Sequence, residues 1–469
     1  MVFSSLIFLF AFLPLVLFTY YLCPQKMKNT LLFLASLVFY AWGEPRYILI
    51  MLFSTVFDYV NGLLIQRYKE RGEGRRAKAV VLLSVVINLG ILGFFKYSGF
   101  VVENVNRLFS LSLSSPNIAL PLGISFYTFQ TLSYTIDVYR GEVEAQRNII
   151  DFGAFVTLFP QLVAGPIVRY KTIATQLTNR QESVDSFAYG IVRFVTGLGK
   201  KVLLANNIGQ LWAQVSAIST DSLPVATAWL GAIAFSFQIY FDFSGYSDMA
   251  IGLGQMFGFR FLENFNYPYL AKSITEFWRR WHISLGTWFR EYVYIPLGGN
   301  RNGAARQICN LLIVWLLTGL WHGASWNFVA WGLYYGLLLI VEKQLFKLKS
   351  LPSALCRAYT LVLVALGWVL FASPTLSEAL AYIKVMFGLG ATEFINQETI
   401  YLLYTNAVLL FFLVVASTEI PKKIWATFTD KLGKKNMAPI KDLLIVFVFL
   451  LSVAFLVGES YNPFLYFRF

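Results

Sequence analysis

The chain has 469 residues, of which 57% are hydrophobic, 17% aromatic and only 13% charged, with a mean hydropathy of +0.60. That composition excludes an ordinary soluble domain. The net charge of +13 does not point to nucleic acid, because the cations gather in short loops between apolar runs, as the positive-inside rule requires of a membrane protein.

Apolar runs of membrane-spanning length recur from end to end, at 2–22, 47–65, 80–95, 225–240, 328–342, 359–371, 400–416 and 443–457. They predict an all-α polytopic membrane protein embedded in a lipid bilayer. The first run follows MVFSS, which has no cationic region, and is too long for the apolar core of a signal peptide, so it reads as a retained helix. Lys26 and Lys28, the segment QRYKERGEGRRAK, KQLFKLK at 343–349 and the stretch 422–441 are basic and read as cytoplasmic. Both termini are then extracytoplasmic, which requires an odd number of spans, about 11. One integrated domain is expected over 1–469, with N-terminal helices in 1–110, a core in 117–345 and C-terminal helices in 355–469. Cys23, Cys309 and Cys356 are scattered without paired spacing, which argues against a disulfide framework.

The core breaks the regular pattern. NIALPLGISFYTFQTLSYTIDVY at 117–139 is interrupted by Pro121 and Gly123, and LFPQLVAGPIVRY by Pro160, Gly165 and Pro166. Broken, polar backbone survives at membrane depth only inside protein or along a wet cavity. Farther on, Gln238 and Asp242, and likewise Ser244 and Asp248, stand four apart and share helical faces. Asp242 and Asp248 are expected to fix helix packing; Asp242, with Gln238 and Tyr246, is also a candidate for the lining of a reaction chamber.

In AKSITEFWRRWHISLGTWFREYVYIPLGGNR, tryptophans interleave with Arg279, Arg280 and Arg290, the pattern of a helix at the membrane interface. Ser273 is placed to cap it, with Glu276 three residues on. The spacing puts Trp278 and His282 on one face and Glu276 and Arg280 on another. The three arginines are candidates for gripping the phosphates of an anionic donor; anchoring to lipid headgroups is the alternative.

The chain holds two histidines, each the second half of a Trp-His pair: Trp281-His282 and Trp321-His322. A titratable ring at membrane depth is costly and marks a functional site, and histidine suits proton transfer near neutral pH. The apolar run 308–320 gives only about 20 Å of helix, less than the ~30 Å hydrocarbon core, so the turn from His322 to Ser325 is expected inside the membrane. Thr318 and Asn327 are candidates to orient the ring, and Ser325, Asn327 and tryptophan N–H groups are candidate donors to an oxyanion.

YFDFSGYSDMAIG, ITEFWRRWHISLGTWFREYVYIPLGGNR, TGLWHG, GPIVR and the terminal YNPFLYFRF together resemble the membrane-bound O-acyltransferases, and within them the alginate O-acetyltransferase branch. Similar proteins acetylate peptidoglycan or other exported polysaccharides, and a related branch moves D-alanine to teichoic acids. GWVLFAS at 367–373 departs from the branch, which often has an arginine after the phenylalanine. The resemblance implies a helical bundle with re-entrant and interfacial helices around a central tunnel in a bacterial cytoplasmic membrane. It also implies a cytoplasmic acyl thioester donor, acetyl-CoA, acting as substrate with no bound cofactor, and delivery of the acyl group outside. His322 matches the family's catalytic histidine and His282 the supporting one. The implied partner is an extracytoplasmic transferase of the SGNH-hydrolase type or a single-pass membrane protein.

The chemistry suits these residues: an imidazole accepts the proton of an acceptor hydroxyl as it attacks the thioester carbonyl, and returns it to the departing thiolate. No phosphate loop, nucleophile elbow or zinc motif is present, so no metal is expected, and no motif favours Cys309 as an acyl carrier. Two rival readings of the same features are a bis-histidine haem protein and a transporter using the broken helices as its path.

Overall fold

The computed structural model describes all residues except 117, 164, 345–350, 392, 459–463 and 466–469. The start of the 117–139 segment, most of the basic stretch 343–349 and most of YNPFLYFRF thus lie outside the described residues. Among those described, every regular element is a helix. Among the described residues, six helices are long and apolar enough to cross a membrane: Ile48–Glu70, Gly74–Phe109, Gly303–His322, Ser353–Ala372, Gln397–Ala416 and Lys434–Gly458. The first apolar run becomes the shorter helix Phe8–Leu22. The runs at 225–240 and 328–342 fall in the helices Val225–Met256 and Trp326–Gln344.

Two compact units emerge: Met1–Phe194 with Tyr246–Leu262, and Val195–Gly245 with Glu263–Phe469. In the first, the fully buried Asp58 lies within an apolar helix and accepts hydrogen bonds from the Ser84 hydroxyl at 2.6 Å and the Asn88 amide at 2.8 Å. Ser84 also meets Thr135 at 3.2 Å. A carboxylate tolerates such burial only where donors replace water, and the result is one register for Ile48–Glu70, Gly74–Phe109 and Ile124–Arg140. The break foreseen at Pro121 and Gly123 is the start of Ile124–Arg140. Gly123 takes φ 73°, and a Cβ there would stand 2.6 Å from the Leu162 carbonyl oxygen. Asp248 pairs with Arg193 at 2.7 Å, and Tyr246 stacks on Phe3 with ring centroids 4.7 Å apart.

In the second unit, Gly303–His322 turns back along Trp326–Gln344. The two helices approach closely because glycine faces glycine: a Cβ on Gly319 would lie 2.3 Å from the Phe328 carbonyl oxygen, and one on Gly332 2.4 Å from that of Trp315. The helix bearing His322 starts at Gly303 rather than Ile308, so its 20 residues span about 30 Å. Its length therefore does not by itself set the His322 turn inside the bilayer, which corrects the reckoning from the 13-residue apolar run.

At the far end of this hairpin, Glu342 accepts the backbone N–H groups of Ile274 at 2.6 Å and Thr275 at 2.8 Å. A carboxylate there completes the exposed first turn of the helix Ile274–Arg280. Ser273 caps the same helix as its spacing predicts, accepting the Glu276 N–H at 3.0 Å, while Glu276 reaches back to the Lys272 N–H at 2.9 Å.

Candidate active site

The arginine- and tryptophan-rich segment does not form one helix. Ile274–Arg280 stops, Trp281 is extended, His282 is left-handed at φ 44°, and Ile283–Phe289 begins afresh. Trp278 and His282 therefore do not share a helical face, contrary to their spacing. The backbone bonds that a continuous helix would make go elsewhere: the Asn266 N–H donates to the Arg280 carbonyl at 2.9 Å, and the Ile283 N–H to the Asn264 carbonyl at 3.0 Å. A left-handed non-glycine residue costs about 1–3 kcal/mol and persists only where its surroundings hold it. Here the held residue is one of the two histidines.

Asn264, fully buried, determines the proton's position on that ring. Its Oδ1 is met by the Ser284 N–H at 3.2 Å, the Ser284 hydroxyl at 2.9 Å and His282 Nδ1 at 3.2 Å. A backbone amide can only donate, so the carbonyl side of Asn264 is the one turned toward this cluster. An amide oxygen can only accept, so Nδ1 of His282 carries the hydrogen, and in the neutral ring Nε2 then presents a lone pair. His282 Nε2 is buried without a hydrogen-bond partner among the described residues.

Trp321 joins the two histidines, its ring 6.0 Å from that of His282 and 5.0 Å from that of His322. Phe243 also meets His282, edge to face with ring centroids 4.7 Å apart. Phe243 and His322 line a cavity together with Asp242, Trp278, Trp331 and Trp368. Its volume is about 20 Å³, room for a water molecule and too little for a thioester arm, so admitting a substrate requires the aromatic walls to move. His322 is wedged by the edges of Trp331 at 5.0 Å and Phe371 at 5.2 Å. In so apolar a chamber, charges and dipoles act with little solvent screening. The carboxylate at its border is compensated: Asp242 Oδ1 pairs with Lys201, and Oδ2 accepts the Leu465 N–H at 2.8 Å.

Of the residues singled out by sequence, His322, Asp242 and Trp278 come together around this cavity, with Trp321 and His282 next to them. Gln238 packs against Gly209, a turn before Asp242. Asn327 accepts from the Ser325 hydroxyl and gives its amide to the Ser373 carbonyl at 2.9 Å, fastening the turn after His322 to the end of Ser353–Ala372. Thr318 bonds the Val314 carbonyl at 2.7 Å. Tyr246 belongs to the first unit. Arg280 pairs with Glu276 at 2.8 Å, whereas Arg279 and Arg290 are exposed. The Glu276 carboxyl is held below its ordinary value: burial pushes it up, and the Lys272 N–H and the Arg280 guanidinium outweigh that. Sequence reasoning missed Asn264, Lys201, Trp331, Trp368 and Leu465. An asparagine inside the aromatic stretch LENFNYPY was a signal for the first; the others meet the site only through the fold.

Residues 144–377 match the model of the MBOAT, membrane-bound O-acyltransferase family, a stretch that holds both histidines. Along its whole length the chain is 41% identical to a probable alginate O-acetylase of Azotobacter vinelandii and 40% identical to one of Pseudomonas aeruginosa, each also covered completely. It is 35% identical to a peptidoglycan O-acetyltransferase of Helicobacter pylori over 85% of this chain and 84% of the relative.

Proposed function

The chain belongs to the membrane-bound O-acyltransferase family and is a multi-pass membrane O-acyltransferase; from that premise we propose that it takes an acetyl group from cytoplasmic acetyl-CoA and passes it across the membrane for O-acetylation of an exported polysaccharide such as alginate or peptidoglycan. The observation that carries this reading is the joining of His322 and His282 through Trp321 beside an aromatic, nearly dry chamber. The relatives' activities support acetyl as the group and a polysaccharide as the acceptor. Final delivery falls to a separate extracytoplasmic transferase of the SGNH-hydrolase type or a single-pass membrane protein.

His322 acts as general base. It takes the proton of the acceptor hydroxyl, the hydroxyl oxygen bonds to the thioester carbonyl carbon, and the carbon–sulfur bond breaks as the proton passes to the leaving thiolate. Trp278 and Trp331 hold indole N–H groups at the chamber, buried and without hydrogen-bond partners among the described residues; they supply donors for the charge that builds on the carbonyl oxygen. His282, with Nε2 unprotonated, supports the proton transfer. Arg279 and Arg290 hold the donor's phosphates at the entrance.

The test is acetyl transfer from radiolabelled acetyl-CoA by membranes containing the chain and its partner. His322→Ala is expected to lower transfer by about 10²–10⁴-fold, the range of a positioned acid–base group, with unchanged thermal stability in detergent. Wild-type transfer by that variant overturns the assignment.

A further inference from the structure

A second cavity within the unit Val195–Gly245 with Glu263–Phe469 is far larger, about 570 Å³, and of different character. Helix Ser353–Ala372 lines it from Arg357 to Ala365, about 12 Å of helix and close to half the ~30 Å hydrocarbon core. Ser417 and Thr418, just past the end of Gln397–Ala416, lie in its wall. Trp229 marks the opposite end, because its neighbour Thr227 is bonded to Thr399 at the start of that same helix at 2.6 Å. The Ser417 and Thr418 hydroxyls donate to the Leu413 and Val415 carbonyls. Charge in the groove therefore comes from Arg357, which is exposed and has no carboxylate partner among the described residues.

The level of this end in the bilayer follows from what comes next in the chain. Ile420–Leu432 has no buried residue and sets Ile424, Trp425 and Phe428 against Lys422 and Lys423, with Lys431 at the edge of the apolar face. An amphipathic helix of that kind lies in the lipid headgroup layer. The groove thus runs from a cation at headgroup level into the hydrocarbon, along apolar walls. Its inner wall includes Tyr269, whose ring meets Tyr240 at 5.3 Å and Trp281 at 6.4 Å; Trp281 also lines the His322 chamber.

We propose that this groove holds one anionic phospholipid of the surrounding leaflet, with its phosphate on Arg357 and an acyl chain along Leu361 and Ala365, as a resident ligand that backs the aromatic wall behind His322. The full-length protein, reconstituted with equal phosphatidylglycerol and phosphatidylcholine, extracted gently and examined by native mass spectrometry, tests it. The wild type is expected to retain one phosphatidylglycerol, enriched about tenfold over phosphatidylcholine, whose choline cation beside the same phosphate offsets the attraction to the guanidinium. Arg357→Gln is expected to lose that enrichment and Arg357→Lys to keep most of it. Ala365→Trp, which fills the groove, is expected to retain neither lipid; its elution as a monodisperse peak is checked first, and the Arg357 variants decide alone if it misfolds. Wild-type enrichment in Arg357→Gln, equal retention of both lipids by the wild type, or an acyl thioester in place of the lipid overturns the proposal.

Discussion

Lys201 and Asp242 form an ion pair whose side chains are only 3% and 4% exposed, at the border of the His322 chamber. Lys201 lies on the π-helical turn Lys200–Ala205, and its ammonium also stands 4.8 Å from the Phe464 ring. With the Leu465 N–H on the second carboxylate oxygen, three distant stretches of chain are fastened at one buried charge. Removing one partner leaves the other uncompensated in a medium of low polarity, which costs about 3–5 kcal/mol, whereas removing both costs much less.

Lys201→Met is therefore expected to melt well below the wild type in detergent. The double variant Lys201→Met/Asp242→Leu should recover a large part of the loss. Thermal unfolding of the two singles and the double decides; singles as stable as the wild type would show that the pair contributes nothing.

Asn264 gives the second prediction. If it holds His282 in the Nδ1-protonated form, Asn264→Leu removes the acceptor and is expected to lower acetyl transfer by about 10²-fold, the lower end of what a positioned acid–base group contributes. Asn264→Asp keeps an acceptor at Oδ1 and should retain most of the rate. The informative contrast is between the two variants at matched stability; equal rates in both would remove Asn264 from the proton path.

How far such features can be read from sequence depends on what enforces them. The cap at Ser273, the burial of both Trp-His pairs and the glycine-broken start of Ile124–Arg140 are local effects, and their residue types signal them. The break at Trp281 and His282 is not local: SITEFWRRWHISLGTWF holds no proline, its one glycine, Gly286, lies inside the following helix, and helical spacing wrongly set Trp278 over His282. The backbone at 264–266 captures the bonds instead, a tertiary override of propensity. The pairing of Lys201 with Asp242 left no trace either, since each reads alone as a costly charge beside apolar sequence. The extent of the His322 helix was underestimated because Arg306 and Gln307 mask a helix that continues in polar surroundings back to Gly303.

The Gly319 and Gly332 contact makes a prediction with an internal control. Gly319→Ala has no room, since its methyl would press on the Phe328 backbone; overpacking of this kind costs about 1–3 kcal/mol. It would also shift the end of the helix where His322 sits, so acetyl transfer should fall more than stability alone explains. Gly90→Ala, at a helical position with nothing within 4 Å, should be neutral or up to about 1 kcal/mol stabilising. Indistinguishable melting of the two variants would contradict the close approach.

The three arginines separate in the same manner. Arg280 is committed to Glu276 and to the Asn266 carbonyl at 3.2 Å, so Arg280→Gln should act on stability, by less than about 1 kcal/mol for so exposed a pair. Because the Glu276 carboxyl is held below its ordinary value, its contribution is present above the carboxylate range and is lost as pH falls through the depressed value. The gap between wild type and Arg280→Gln should therefore narrow on acidification. Arg279 and Arg290 are exposed, and Arg279→Gln and Arg290→Gln should instead raise KM for acetyl-CoA with kcat unchanged, the mark of lost uniform binding, and should weaken its salt dependence. If KM stays at the wild-type value in both, the guanidinium groups do not hold the donor, and anchoring to lipid headgroups accounts for them.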